Sequence, residues 1–316
     1  MPPWFPETRS PRSGVAYVIA AAVLWGTTGT ASALAPGVSP LAVGAASMGF
    51  GGLFLAVASA RQISRNRALV AGSWPLVLIG GAALAVYALS FYTSMRLAGV
   101  AIGTAVSIGA APVVSALIER IVDRRQLTQR WAAGALVGVA GTVLLCFARG
   151  GRAQGSDGEA LAGVALGVVA AATYALYSWT SHRLMRLGVP SRASVGATFA
   201  VGAVGLLAVL AAVGRPFLDS WGNIAVGLYL AAVPMFVGHM MFGWGLSRVA
   251  ASTATTASLA EPLVAAALAV AVVGERLPWF GWLGMALIVA CLAVLTVPAG
   301  RPRFRPRRTR RIRGSR

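Results

Sequence analysis

Residues Ala250–Ala267 read AASTATTASLAEPLVAAA, an apolar, small-residue run in which Glu261, next to Pro262, carries the only charge. About 150 positions earlier Ala101–Ile118 reads AIGTAVSIGAAPVVSALI, and its Pro112 falls opposite Pro262. Two runs that share a proline and a composition, one with an acid and one without, point to a chain made of two copies of one unit.

The register extends outward from these runs. Tyr174 and Tyr177 stand where Trp25 and Thr28 stand in the first copy, at an offset of 149, and Pro190 answers Pro40 at 150. Arg248 matches Arg96 at 152, which sets His239 opposite Tyr87, and Leu277 and Gly281 match Leu127 and Trp131 at 150.

Of the 316 residues, 57% are apolar and 11% charged, against about 25% charged in a soluble domain. Ten apolar stretches fall near 14–35, 39–60, 73–95, 98–119, 130–148, 160–182, 191–213, 223–245, 249–272 and 278–297. Each is close to the roughly 20 residues that cross a bilayer as a helix. Backbone amides in lipid must be paired within their own segment or in a closed barrel, and uninterrupted runs of this length favour helices. The expected fold class is therefore all-α integral membrane, with ten transmembrane helices as two inverted five-helix repeats. Five helices per copy send the second copy into the membrane from the opposite side, a recurrent plan among transporters. The expected division is a segment 1–13, a first repeat 14–148, a glycine-rich joint 149–159, a second repeat 160–297 and a tail 298–316.

All 27 basic residues are arginine. They crowd the loops that share a side with the N-terminus, which by the positive-inside rule places both termini in the cytoplasm. Residues 1–13 are too long and too mixed in charge for a secretory n-region, so the first stretch reads as an uncleaved span. The tail holds Arg301, Arg303, Arg305, Arg307, Arg308, Arg310, Arg311 and Arg313 and no acid, a pattern suited to anionic lipid head groups. Nucleic acid is the weaker reading for that tail, because the rest of the chain sits in lipid. Cys146 and Cys291 have no CxxC partner or nearby histidine and read as packing residues. No metal or cofactor is expected, and no Walker loop is present.

Glu261 is the sharpest site residue, since an ionisable group at membrane depth costs a few kcal/mol and marks a functional position by default. It either binds a substrate amine or carries a proton, or it is an architectural acid held by its neighbours. Pro112 and Pro262 lack an amide hydrogen, free the carbonyls of Ile108 and Ser258, and should kink their helices. His239, deep in a stretch with Met240 and Met241, reads either as a proton acceptor or as a hydrogen-bonded core histidine. The aromatic set Trp25, Tyr87, Phe91, Tyr174, Tyr177 and Trp244, with Thr28 beside Trp25, comes from stretches in equivalent places of the two copies. Rings with polar tips at such places suit a cavity for a small metabolite.

The opening GVAYVIAAAVLWGTTG, the run SRVAASTATTASLAEPLVAAALAVAVVGERL and the closing WFGWLGMALIVACLAVL resemble the EamA family of the drug/metabolite transporter superfamily, over roughly residues 14–297. The most specific part is the intramembrane Glu261-Pro262 followed by the turn Gly274–Leu277; the first copy departs from it with Ala111-Pro112 and Arg124-Arg125-Gln126-Leu127. The resemblance implies a ten-helix carrier of amino acids, nucleosides or other small metabolites, often an exporter. The function expected is export of a small-molecule substrate, such as an amino acid, across a bacterial plasma membrane by alternating access. Proton coupling through Glu261 or His239 and facilitated diffusion both remain open. The alternatives are a non-transporting membrane partner or receptor on the same fold, or a membrane-embedded enzyme. The enzyme would need paired carboxylates or a metal cluster, and the eight acids are scattered singly.

Overall fold

The structure is a computed structural model that describes residues 11–148, 156–273 and 276–296. Ten helices in it are long and apolar enough to cross a membrane. They are α1 (Pro11–Ser32), α2 (Pro40–Arg65), α3 (Trp74–Ala98), α4 (Ile102–Ile121), α5 (Gln129–Ala148), α6 (Asp157–Arg186), α7 (Ser191–Val213), α8 (Trp221–Leu246), α9 (Ala251–Val272) and α10 (Trp279–Thr296). Among the described residues there is no strand. The arginine tail, Gly274 and Glu275 lie outside the described residues.

Local chemistry sets the helix ends. Ser39 caps α2, its Oγ accepting the N–H of Ala42 at 3.2 Å, and Pro40 follows where no amide is needed. At the start of α6, Ser156 and Glu159 form a reciprocal capping box, with the carboxylate taking the Ser156 N–H at 2.9 Å. Beyond the end of α6, Gly188 at φ 95° turns the chain so that Val189 N–H reaches back to Leu184 O.

The helices pair as α2 with α7, α5 with α10, α3 with α6, α1 with α8, α4 with α6 and α1 with α9. Exchange of the first five helices with the last five turns this set of pairings into itself, the relation that an inverted five-helix repeat requires. Helices immersed in lipid gain little from burying apolar surface against one another, so close approach of small residues holds them. At the α5–α10 crossing Gly141 and Gly284 face each other, and a Cβ on either would lie 2.7 Å from the other's carbonyl oxygen.

Both proline-bearing helices are interrupted at corresponding places. The helix Val100–Gly109, which supplies the first part of α4, stops at Ala110 and Ala111–Ile121 begins; in α9, Ala251–Ala257 stops at Ser258–Leu259 and Ala260–Leu268 begins. The expected kinks are thus complete breaks, with Pro112 and Pro262 in the first turn of the new segment. The carbonyls expected to be free are occupied. Ser258 O accepts the Glu261 N–H at 2.9 Å, and Ile108 O accepts a backbone N–H of its cap. A third interruption is the π-helical turn Ala231–Val237 in α8, which contains Pro234.

We call the end of the bundle that carries Pro11 and Thr296 basal and the opposite end apical.

Candidate functional site

The break in α9 puts Glu261 in the first turn of a fresh helix near the middle of the span. There the positive end of the helix dipole favours a carboxylate. The side chain is half-buried and faces a cavity of about 750 Å³. That volume lies within the usual range for a small-molecule site. Among the described residues nothing donates a hydrogen bond or an ion pair to this carboxylate, and Tyr87, Tyr92 and Tyr174 lie within its electrostatic range.

Rings build the walls. On the α3–α6 side Phe91 stacks on Tyr87 at 5.6 Å between centroids, and Tyr87 stacks on Tyr174 at 5.2 Å. On the α1–α8 side Trp25 packs against His239 at 4.8 Å. The Trp25 indole donates to the carbonyl of Pro234 at 2.9 Å, which ties α1 to the π-helical turn of α8. His239 is fixed by its Nδ1, 2.9 Å from Met235 O. Thr28 lines the same space with a buried hydroxyl that has no protein partner among the described residues. The lining continues through the loop residues Ala33 and Pro36 and the first residue of α2, Pro40, to Arg96, all exposed, so the cavity opens at the apical end. Towards the basal end Trp25, Met48, Met235 and His239, all buried, form the floor.

The structure therefore gathers Trp25, Thr28, Tyr87, Phe91, Tyr174, His239 and Glu261, with Pro262 beside them, around one space. Two expected members stand elsewhere. Tyr177 is fully buried behind the floor, stacked on Phe242 at 6.3 Å and edge-on to Phe199. One turn of α6 carries it below Tyr174, to the level where α7 and α8 close over it. Trp244 lies near the basal end, edge-on to Tyr17 at 5.6 Å, two turns of α8 away from Phe236 and Met235. Pro112 is buried and does not line the cavity. Sequence reasoning missed Tyr92, Arg96 and Cys146 as lining residues. Tyr92 directly follows Phe91, and its ring fills the space beside Gly44 on α2, a pairing between helices that no local pattern reveals.

The sequence model of the EamA-like transporter family matches residues 12–147 and again residues 161–297. The chain belongs to the EamA-like transporter family. It is 34% identical over 281 residues to a protein of Bacillus subtilis (strain 168) named "Uncharacterized transporter YwfM", covering 89% of this chain and 92% of that one. A second relative, an "Uncharacterized transporter" of Clostridium kluyveri, is 28% identical over 131 residues, 41% of this chain and 42% of its own. A solved structure, described as "Crystal structure of protein", superposes with a TM-score of 0.72 over 90% of this chain and 96% of that one, at 24% identity, which speaks for the fold. This EamA-like transporter is thus a multi-pass membrane transporter, with an acid-bearing aromatic cavity between its helices.

The indole bond of Trp25 gives a direct check of the floor. Trp25→Phe keeps a ring there but leaves the buried Pro234 carbonyl without its donor, a loss of about 1–3 kcal/mol. The expected outcome is a lower melting temperature in detergent, and an unchanged one would remove this bond from the account.

Proposed function

We propose that this EamA-like transporter is a secondary carrier that exports a small metabolite, such as an amino acid, by alternating access between two inverted repeats. Twelve of the fifteen described arginines lie at the basal end, and only Arg96, Arg215 and Arg276 lie at the apical end. By the positive-inside rule that asymmetry supports a bacterial plasma-membrane carrier with its basal end and both termini on the cytoplasmic side. In that orientation the cavity is open to the outside and closed to the inside. The tail Arg301–Arg316 would rest on anionic lipid head groups of the inner leaflet.

The observation that carries the reading is the unpartnered Glu261 carboxylate in a cavity walled by rings from both halves. A carboxylate among aromatic faces suits an ammonium group, which gains from charge pairing and from the rings together. The rest of the cavity leaves room for an apolar or polar side chain. Exchange of the conformations of the two halves would close the apical mouth and open the same site to the cytoplasm. Glu261 or His239 can carry a coupling proton; facilitated diffusion needs neither.

The test is efflux of labelled amino acids from liposomes that contain only this protein. Efflux of at least one amino acid well above that of protein-free liposomes is the expected result. If correctly inserted protein moves none of them, and overproducing cells gain no resistance to toxic amino-acid analogues, the reading fails in favour of a receptor on the same fold.

A further inference from the structure

At the basal end, away from the cavity, α4 is fastened to two helices of the other half. Glu119, in the last turns of α4, is 2% exposed, and Oε1 accepts the backbone N–H of Ser252 at 3.0 Å. Oε2 accepts the Ser252 hydroxyl at 2.8 Å and Arg125 Nη1 at 3.0 Å. One turn further on, Asp123 Oδ2 takes the indole N–H of Trp179 at 2.8 Å and Oδ1 takes Arg183 Nη1 at 3.0 Å. Ser252 is on α9 and Trp179 and Arg183 are on α6. Four of these five bonds therefore join the first five helices to the last five.

The bonds to Ser252 do more than hold two helices together. Ser252 lies in the first turn of α9, where backbone amides have no acceptor in their own helix. The residue at the cap position is Ala250, which has no side chain to supply one. Glu119 supplies it from another helix. Closure of the basal end and capping of α9 are accordingly one event. When α4 swings away, the carboxylate keeps Arg125 but loses both Ser252 donors and α9 loses its cap, and water must replace them.

Glu119 and Ser252 both sit on short segments that end at a helix break. Glu119 belongs to Ala111–Ile121, the short segment beyond the break at Ala110, and Ser252 to Ala251–Ala257, the segment before the break at Ser258–Leu259. Among the described residues the fastening has no twin at the apical end. At an offset of 150, Glu119 maps to Ala269, Ser252 to Ile102, Asp123 to Val273 and Trp179 to Gly29.

We propose that Glu119, seconded by Asp123, is the gating residue of the transport cycle: a one-sided clasp that seals the basal exit, biases the empty carrier towards the apically open state and must release before cargo enters from the basal side. The clasp goes beyond the export reading, and it is tested without any cargo.

Two cysteine reporters, each in a background free of Cys146 and Cys291, read the state through an impermeant maleimide. Thr30→Cys lines the cavity, and Ser115→Cys is buried one turn above Glu119. In the parent protein Thr30→Cys labels from the apical side and Ser115→Cys is protected from the basal side. Glu119→Gln is expected to speed labelling of Ser115→Cys at least ten-fold and to slow that of Thr30→Cys. Ser252→Ala leaves the carboxylate its backbone donor and Arg125, and should produce the same opposed changes at smaller size in a protein that still folds. Rates that stay unchanged in both variants, or that rise together at the two reporters, overturn the proposal; the second pattern would mark Glu119 as a structural tie only.

Discussion

Glu261→Gln is expected to reduce cargo flux about 100-fold while the protein melts at the same temperature or higher. The amide has the shape of the carboxylate and fits the same place in the first turn beyond the α9 break. What it loses is charge. A hydrogen bond to a charged partner contributes about 1.5–3 kcal/mol, and 2.7 kcal/mol is about 100-fold in binding. Stability separates this role from an architectural one. No described residue donates a hydrogen bond to the carboxylate, so only the helix dipole offsets the cost, of a few kcal/mol, of holding an ion at membrane depth. An anchoring acid would instead melt lower as glutamine. Imposing two pH gradients on liposomes then separates the cargo role from the proton role. Wild-type flux that follows the gradient, with variant flux indifferent to it, assigns the proton to Glu261. Equal rates in all four conditions remove proton coupling through this residue.

Much of this architecture was legible because lipid allows so few solutions. Ten stretches near 20 residues became ten helices, and the boundaries moved by a few residues, as where the first helix ends at Ser32 instead of near 35. Pro112 and Pro262, at an offset of 150, marked the two breaks, because a missing amide is a local property that sequence displays. What sequence understated was their depth. In α9 the chain does not bend around an unpaired carbonyl but stops, lets Glu261 N–H satisfy Ser258 O, and restarts.

The site was legible only in part, for reasons of depth and distance. Tyr174 and Tyr177 are three residues apart and look alike in a helical pattern. Yet the first stacks on Tyr87 in the cavity wall, and the second is enclosed by Phe199 and Phe242 from helices that no spacing brings to it. Trp244 shares a helix with His239, but a turn and a half of rise separates cavity floor from basal rim. Distance hid the clasp as well. Glu119 stands at a helix end beside a charged turn, and its partner Ser252 is 133 positions away, while Trp179 lies 56 beyond Asp123. A polar residue whose partner is that remote is recognisable only once the halves are folded against each other.

Gly141→Val should be strongly destabilising, because two of the three nearest atoms it meets are backbone atoms that cannot rotate away. A Cβ at Gly141 would lie 2.7 Å from the carbonyl oxygen of Gly284, 2.9 Å from Leu287 Cβ and 3.0 Å from Ile288 N. Relief requires α5 and α10 to separate. Since α10 packs chiefly on α5, and lipid satisfies its apolar surface as well as protein does, little remains to hold it once close contact is lost. Overpacking of this kind costs about 3 kcal/mol. Gly205→Ala is the matched control. No atom lies within 4 Å of the new methyl, and alanine is the better helix former by about 1 kcal/mol, so that variant should melt at the wild-type temperature or above. Exposure of the Cys291 thiol gives a second readout, because it is fully buried on α10, the helix that the substitution pushes away from α5. A large drop in the melting temperature for Gly141→Val, beside no drop for Gly205→Ala, is the expected pair of results. Coincident melting of the two variants would mean that the α5–α10 crossing is not held by contact between these glycines.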